Sequence, residues 1–290
     1  MRIAISGNTY QHEMLEHIER LLLALAARGV QLVAERAFDS YLRQQLPGLP
    51  PMRQCELENG VDAQAIMSIG GDGTFLRTAQ AVCSQDIPIM GVNSGHLGYL
   101  TTADVKDTAL IVEALTGGTY RIEHRSMLEL GCDSAQALPP LPYALNEISI
   151  VRQETSSMID VTVDIDGQPL THFKGDGLLV CTPTGSTAYN LSVGGPIMEP
   201  TTRCFALSPI SPHALTMRPI VVRDDAVLDI TTRSRAPLYQ VSLDGQCTVL
   251  KSGTSVRIAR APHTTGVIQL QGTNFAHTLR HKLMWGKDNR

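Results

Sequence analysis

The chain has 290 residues, of which 43% are apolar and 18% charged, with a formal net charge of −4 at pH 7. This is a globular composition with ample core for one large domain or two ordinary ones, and it excludes a disordered chain. No basic block offers a broad electrostatic grip on nucleic acid or an anionic membrane, and no apolar run approaches the roughly 18 residues of a membrane span.

Taken in chain order, Met1 to Ser6 reads as a first strand, because it lacks the apolar region and cleavage site of a secretory signal. Asn8 or Thr9 is placed to cap a helix whose apolar face includes Leu15, Ile18, Leu22 and Leu25, the spacing of an amphipathic helix. Gly29 stands where a helix C-terminal glycine belongs, and Val30 to Val33 resumes as a strand. Strand 65–69, helix 75–84, strand 87–92 and helix 105–116 continue the rhythm. Such alternation predicts a doubly wound, mostly parallel sheet over residues 1–120, with ligands at the carboxyl ends of its strands.

Gly117-Gly118 marks a break, and from about residue 121 the helical period fades. Met158 to Ile165 largely alternates apolar and polar residues, and Asp166-Gly167 supplies hairpin-turn chemistry. Ala226 to Ile230, Leu238 to Leu243, Ser255 to Ile258 and Val267 to Leu270 also read as short strands. The expectation is a β-rich domain over 121–273, followed by a helical tail over 274–290 that packs back on the first domain. Six cysteines, at positions 55, 83, 132, 181, 204 and 247, form no C-x-x-C pair, and the nine histidines are scattered. These argue for reduced thiols in a cytoplasmic protein without a structural transition-metal site.

Two segments carry chemistry. Gly70-Gly71-Asp72-Gly73-Thr74 follows the apolar strand Ala65 to Ile69 and precedes the predicted helix from Phe75. Its glycines allow close backbone approach to a bulky anion, and the helix N-terminus favours phosphate. A carboxylate there repels a phosphate, so Asp72 makes sense if it takes a proton from a hydroxyl or helps hold a metal ion, which points to phosphoryl transfer. The loop is neither a P-loop, since no Gly-Lys-Ser/Thr follows, nor the G-x-G-x-x-G dinucleotide fingerprint. The second segment, Thr182 to Tyr189 with Gly194-Gly195-Pro196 beyond it, is dense in small donors, and Tyr189 offers a flat face for an aromatic ring.

These motifs, with Asn93 to Leu100, Asn146-Glu147, Gly175-Asp176-Gly177, Ser208 to His213 and Asp244-Gly245-Gln246, resemble in order those of the NAD kinase family. The resemblance spans about residues 1–285. The glycine-rich loop is shared with diacylglycerol and sphingosine kinases, whereas the T-P-T-G-S-T-A-Y segment is far more specific. The resemblance implies a transferase that phosphorylates the adenosine 2′-hydroxyl of NAD, using ATP and Mg²⁺ or another divalent cation. It also implies an α/β N-terminal domain, a β-rich C-terminal domain with the active site between them, and a homodimer or homotetramer. Neither nucleic acid nor a membrane is an expected partner.

By position, the family pattern makes Asp72 the general base and sets Gly73 and its neighbours around the donor phosphates, with Arg77 able to reach one of them. Asn146 and Glu147 hold a ribose and the adenine, while Asp176 recognises the nicotinamide end. Thr187 and Ala188 line the adenine site, Tyr189 packs on a base, and Thr184, Asn190, Leu191, Ser192 and Gln246 complete the ligand-binding set. A cation at Lys174 is expected to favour oxidised NAD over NADH. Tyr99 stands where Phe is common, and Lys174 where several relatives carry Arg or a small residue. A lipid kinase is the rival enzyme, and a dinucleotide sensor on the same fold the rival binding protein; the sensor would have lost the carboxylate that Asp72 retains.

Overall fold

The computed structural model describes residues 1–10, 13–95, 98–132, 138–154 and 157–286. His96 and Leu97 of the Asn93–Leu100 motif, and residues 287–290 of the expected tail, lie outside the described residues. The chain forms two compact units, residues 1–124 with 265–290, and residues 125–264.

The first unit is built on β1 (Arg2–Gly7), β2 (Gln31–Glu35), β3 (Met52–Cys55), β4 (Ala65–Gly70) and β5 (Ile89–Asn93). They lie in the order β3-β2-β1-β4-β5, and every pair is parallel. A short β6 (Ala103–Asp104) and the end of a late strand, through Val267, also run parallel to β5.

The period of two along the strands sorts their side chains between the two faces. Ile3 and Ile5 of β1, with Met67 and Ile69 of β4, join one core with Ile18, Leu21, Leu22 and Leu25 of α1 (Leu15–Ala27). Phe38 and Leu42 of α2 (Arg36–Gln45), and Ile111 and Leu115 of α4 (Thr108–Gly117), belong to the same core. The alternate residues Ser6 and Ser68 face α3 (Asp72–Ala81), where Thr78 Oγ1 lies 3.3 and 3.1 Å from their hydroxyls. Helices on both faces make this a doubly wound sheet, and the order reverses between β1 and β4. At that switch point the carboxyl ends Gly7 and Gly70 lie side by side, bridged by Asn8 N donating to Ile69 O at 3.2 Å.

Several local expectations move. Asn8 does not cap α1, which begins at Leu15; its Oδ1 instead accepts from Tyr10 N, closing a local turn. The helix after the glycine loop starts at Asp72 rather than Phe75. The segment 36–55 forms α2 and β3, which the apolar pattern leaves unsigned because α2 buries only Phe38, Asp39 and Leu42.

The second unit is antiparallel. β9 (Glu147–Arg152), β12 (Gly177–Cys181), β13 (Cys204–Ile210), β14 (Ile220–Arg223), β16 (Leu238–Leu243) and β17 (Gln246–Lys251) form one sheet in the order β14-β13-β12-β9-β16-β17. A second layer contains β10 (Ile159–Ile165), β11 (Gln168–Gly175), β15 (Leu228–Ser234) and the start of β18 (Ser255–Leu270). The turn between β10 and β11 has both Asp166 and Gly167 at positive φ, the geometry of a two-residue hairpin. Ser255–Ile258 and Val267–Leu270 are not separate strands but the two ends of β18. The chain leaves the first unit within β7 (Tyr120–Cys132), which pairs with β8 (Tyr143–Ala144), and returns to it within β18.

Leu178 and Val180 of β12 enter the core between the two layers, while Leu179 and Cys181 enter a smaller cluster with Met198, Ala206 and Ile210. After β12 come a 3-10 turn at Thr184–Thr187 and the short α5 (Tyr189–Ser192). The tail helix α6 (Phe275–Lys282) is capped by Asn274, whose side chain accepts from His277 N at 2.8 Å. No helix among the described residues is long and apolar enough to cross a membrane.

Candidate active site

In the first unit Asp72 is the first helical residue of α3, directly beyond the carboxyl end of β4. Thr74 N donates the first bond of the turn, to Gly71 O at 3.1 Å, so the N–H groups of Asp72 and Gly73 lie ahead of it at the positive end of the helix. A Cβ on Gly71 or Gly73 would meet nothing, so their backbone faces open space where an anion could approach.

The Asp72 carboxylate is fixed from the other side. Its Oδ2 accepts from Tyr99 N at 2.6 Å and its Oδ1 from Leu100 N at 2.9 Å. A Cβ on Gly98 would fall 2.1 Å from Asp72 Oδ1, so a side chain there would push the carboxylate out of this position. Arg77, one turn along α3, is tied down: its Nη2 donates to Gly7 O at 2.8 Å and lies 3.7 Å from Glu35 Oε2.

The second unit gathers another constellation. Asp244 and Gly245, both at positive φ, turn the chain between β16 and β17, and the aspartate side chain points inward. Its carboxylate accepts from three successive backbone N–H groups, Leu145 at 2.7 Å, Asn146 at 2.9 Å and Glu147 at 3.0 Å. Burial nonetheless pushes Asp244 up to about 6, against the lowering effect of those N–H groups. Glu147 rises further, to about 8, first through burial and then through the charge of Asp244. At neutral pH its carboxyl therefore keeps its proton for most of the time, and a neutral acid both donates and accepts. Glu147 Oε2 and Asn146 Oδ1 are buried without a hydrogen-bond partner, a condition that a polar ligand relieves.

The turn after β12 clamps this pair. Thr182 N donates to Asn146 O at 2.9 Å, Thr182 Oγ1 donates to Leu145 O, and Gly185 leaves no room for a Cβ, which would sit 2.2 Å from Asn146 O. Thr184 is buried, with its hydroxyl 3.5 Å from Arg125 Nη1. Thr187 and Ala188 are half-buried, and Tyr189, Leu191 and Ser192 are exposed. Asn190 is fully buried; its Nδ2 donates to Pro196 O at 3.0 Å and its Oδ1 accepts from Ser208 Oγ at 2.7 Å. Its carboxamide is therefore used in holding the turn. Gln246 is exposed on the strand that leaves the Asp244 turn.

Asp176 and Lys174 stand elsewhere in this unit. Arg152 Nε lies 3.0 Å from Asp176 Oδ1, and Lys174 Nζ lies 3.9 Å from Asp160 Oδ1. β12 pairs antiparallel with β9, Cys181 opposite Glu147 and Gly177 opposite Val151, so Asp176 and Glu147 mark opposite ends of this strand pair. At ~3.4 Å per residue they are separated by roughly 17 Å along the strand direction. Asp244, Thr182, Gly98 and Lys282, which supports the Asp72 loop from α6, are the structural contributors that motif reading left without a role. The Asp-Gly pair at 244–245 carried a turn signal, but the inward aim of its side chain has no sequence signature.

Residues 3–120 match the ATP-NAD kinase N-terminal domain and residues 145–270 the ATP-NAD kinase C-terminal domain. The chain belongs to the NAD kinase family. It is 40% identical over 290 residues to an NAD kinase of Bacteroides fragilis, covering 100% of both chains. It is 42% identical over 287 residues to an NAD kinase of Porphyromonas gingivalis, covering 98% of both. The fold is similar to yeast NADH kinase complexed with NADH at a TM-score of 0.90 and 21% identity, covering 100% of this chain and 89% of that one. It is also similar to an NAD kinase from Archaeoglobus fulgidus in complex with ATP, at a TM-score of 0.73 and 27% identity, covering 99% of this chain and 98% of that one.

Proposed function

We propose that the protein is an NAD kinase that transfers the γ-phosphoryl group of ATP to the adenosine 2′-hydroxyl of NAD, giving NADP and ADP, with Asp72 as general base. The observation that carries the base assignment is the Asp72 carboxylate, immobilised by Tyr99 N and Leu100 N beside the open glycine backbone at the head of α3. A carboxylate is a weak base, and fixed placement against the hydroxyl compensates for that weakness. Gly73 and its neighbours then receive the donor phosphates through backbone N–H groups.

Asn146 and Glu147 bind the ribose and adenine end, and their two unpartnered buried oxygens support that role. Asp176, with Lys174 nearby, takes the nicotinamide end, and the strand length separating it from Glu147 suits the two ends of one dinucleotide. Thr184, Thr187, Ala188, Tyr189, Leu191, Ser192 and Gln246 line the remainder, Asn190 holds the turn, and Arg77, anchored on Gly7 O one turn along α3 from the glycine loop, is the side chain to reach a donor phosphate.

Among the described residues no group of three or more His, Cys, Asp or Glu is gathered that could hold a metal ion. By family resemblance the reaction uses Mg²⁺ or another divalent cation with ATP, which would neutralise charge on the phosphates during transfer. By family resemblance the enzyme is further read as a cytoplasmic homodimer or homotetramer, and sedimentation of the purified protein tests the assembly.

The test of function is a coupled assay with NAD, ATP and Mg²⁺, in which an NADP-specific dehydrogenase reports product. Wild type is expected to form NADP, and Asp72→Asn to turn over about 10²–10⁴-fold more slowly with NAD affinity little changed. A near-normal rate in Asp72→Asn would refute the base assignment, and absence of NADP with wild type would refute the reaction.

A further inference from the structure

The last helix of the first unit ends on a lysine with an unusual environment. Lys282 Nζ, on a half-buried side chain, donates to Thr101 O at 2.6 Å and approaches Tyr99 O at 3.4 Å. These carbonyls belong to the loop whose N–H groups hold Asp72. Tyr99 O and Leu100 N are the two ends of one peptide group, so the lysine touches the carbonyl of the amide that donates to Asp72 Oδ1. Charge at the carbonyl polarises that amide and strengthens the bond its N–H makes. Thr101 O shares its peptide with Thr102 N, which donates to Gly91 O of β5 at 2.8 Å, so the second contact pins the same loop to the sheet.

We propose that Lys282 is a positioning residue for phosphoryl transfer: from α6 it clamps two peptide groups of the 99–101 loop and so fixes the Asp72 carboxylate. Burial lowers the pKa of Lys282, the cost of keeping an ammonium there, and the nearby Asp72 charge acts in the opposite direction. The residue lies beyond both family-matched segments, which end at 120 and 270. Asn274, at the other end of α6, caps the helix and keeps its register.

This inference rests on the reading of Asp72 as general base, and the experiment separates the two. Wild type, Asp72→Asn, Lys282→Met, Lys282→Arg and the Asp72→Asn/Lys282→Met double variant are compared for kcat, KM for NAD and melting temperature. Lys282→Met is expected to lower kcat about 10–100-fold with KM for NAD within about twofold, the pattern of a misplaced catalytic group. Lys282→Arg is expected to recover part of that loss. In the Asp72→Asn background Lys282→Met is expected to have little further effect, because groups that act as one unit are not additive. An unchanged kcat in Lys282→Met, or a full additional loss in the double variant, would overturn the inference and leave the base assignment standing. A near-normal rate in Asp72→Asn would overturn both. If Lys282→Met lowers the melting temperature far below the assay range, Lys282→Gln decides instead, since it keeps most of the stem and a donor but removes the charge; normal kcat in that variant would then overturn the inference.

Discussion

At the residue scale, a few backbone contacts fix a carboxylate in each of the two units. Two backbone N–H groups hold the Asp72 carboxylate in one orientation, and that orientation fills the space where any side chain at residue 98 would begin. Gly98→Ala is therefore expected to displace the carboxylate and lower kcat by about 10²-fold, the scale of a 1 Å misplacement, while NAD binding survives. Titration calorimetry with NAD beside the coupled assay checks this, and loss of binding with kcat retained would contradict it.

Glu147 and Asp244 give a pH signature. Both hold protons in the folded protein at pH values where an unfolded chain has released them, since their pKa values rise from 4.5 to about 8 and from 3.8 to about 6. The folded state then binds more protons, and stability falls as pH climbs through that window. Each tenfold displacement of the proton equilibrium is worth ~1.4 kcal/mol. Melting curves between pH 4.5 and 8.5 should show wild type losing stability towards alkaline pH, with a shallower decline in Glu147→Gln. Parallel curves for the two proteins would refute the buried-proton account. Asp72 was legible because its glycines and preceding strand sit beside it in sequence. Asp244 lies nearly a hundred residues from the N–H groups it caps, so its role was not.

Among the elements, β12 and the turn after it organise the second unit. Its strand residues are buried on both sides, and the turn carries Thr182 and Gly185 onto the backbone of Asn146. Gly185→Ala would drive a methyl group into a peptide carbonyl, which has no flexible side chain to yield. The expected cost is about 1–3 kcal/mol of stability, together with a weaker NAD complex. Urea unfolding and calorimetry measure both, and unchanged values would show that the turn can shift. The T-P-T-G-S-T-A-Y segment was legible as a dense cluster of small donors, but which of them face a ligand was not. Asn190 reads like its neighbours and is instead consumed by Ser208 and Pro196. Similarly, α2 escaped the pattern because its buried face holds Asp39, satisfied by Arg43 at 2.9 Å and Gln54 at 2.6 Å. A polar residue inside weakens the apolar period on which helix assignment depends.

At the scale of the molecule, each unit has its own core, and the unpartnered oxygens of Asn146 and Glu147 lie in the second. A ligand that satisfies them binds the native state alone, so NAD is expected to raise the melting temperature. At a hundred times its Kd the stabilisation is about 2.7 kcal/mol. Differential scanning fluorimetry with and without NAD tests this, and Asn146→Ala should abolish most of the shift. An equal shift in that variant would remove Asn146 from the binding site.

The sequence by itself determined what depends on neighbours along the chain. It set the alternation of strand and helix around a parallel sheet, the hairpin at Asp166-Gly167, and the glycine turn from β4 into the helix that starts at Asp72. It also carried the ordered motifs from which the family follows. These are local signals: periods of two or 3.6 residues, glycines where side chains are forbidden, and a carboxylate at a helix start. Tertiary structure alone decided that Gly98 makes room for Asp72, that Asp244 caps the Asn146–Glu147 backbone, and that Lys282 reaches the 99–101 loop. Those pairings join residues far apart in the chain, and a hydrogen bond between them exists only once the strands and helices that carry them have packed.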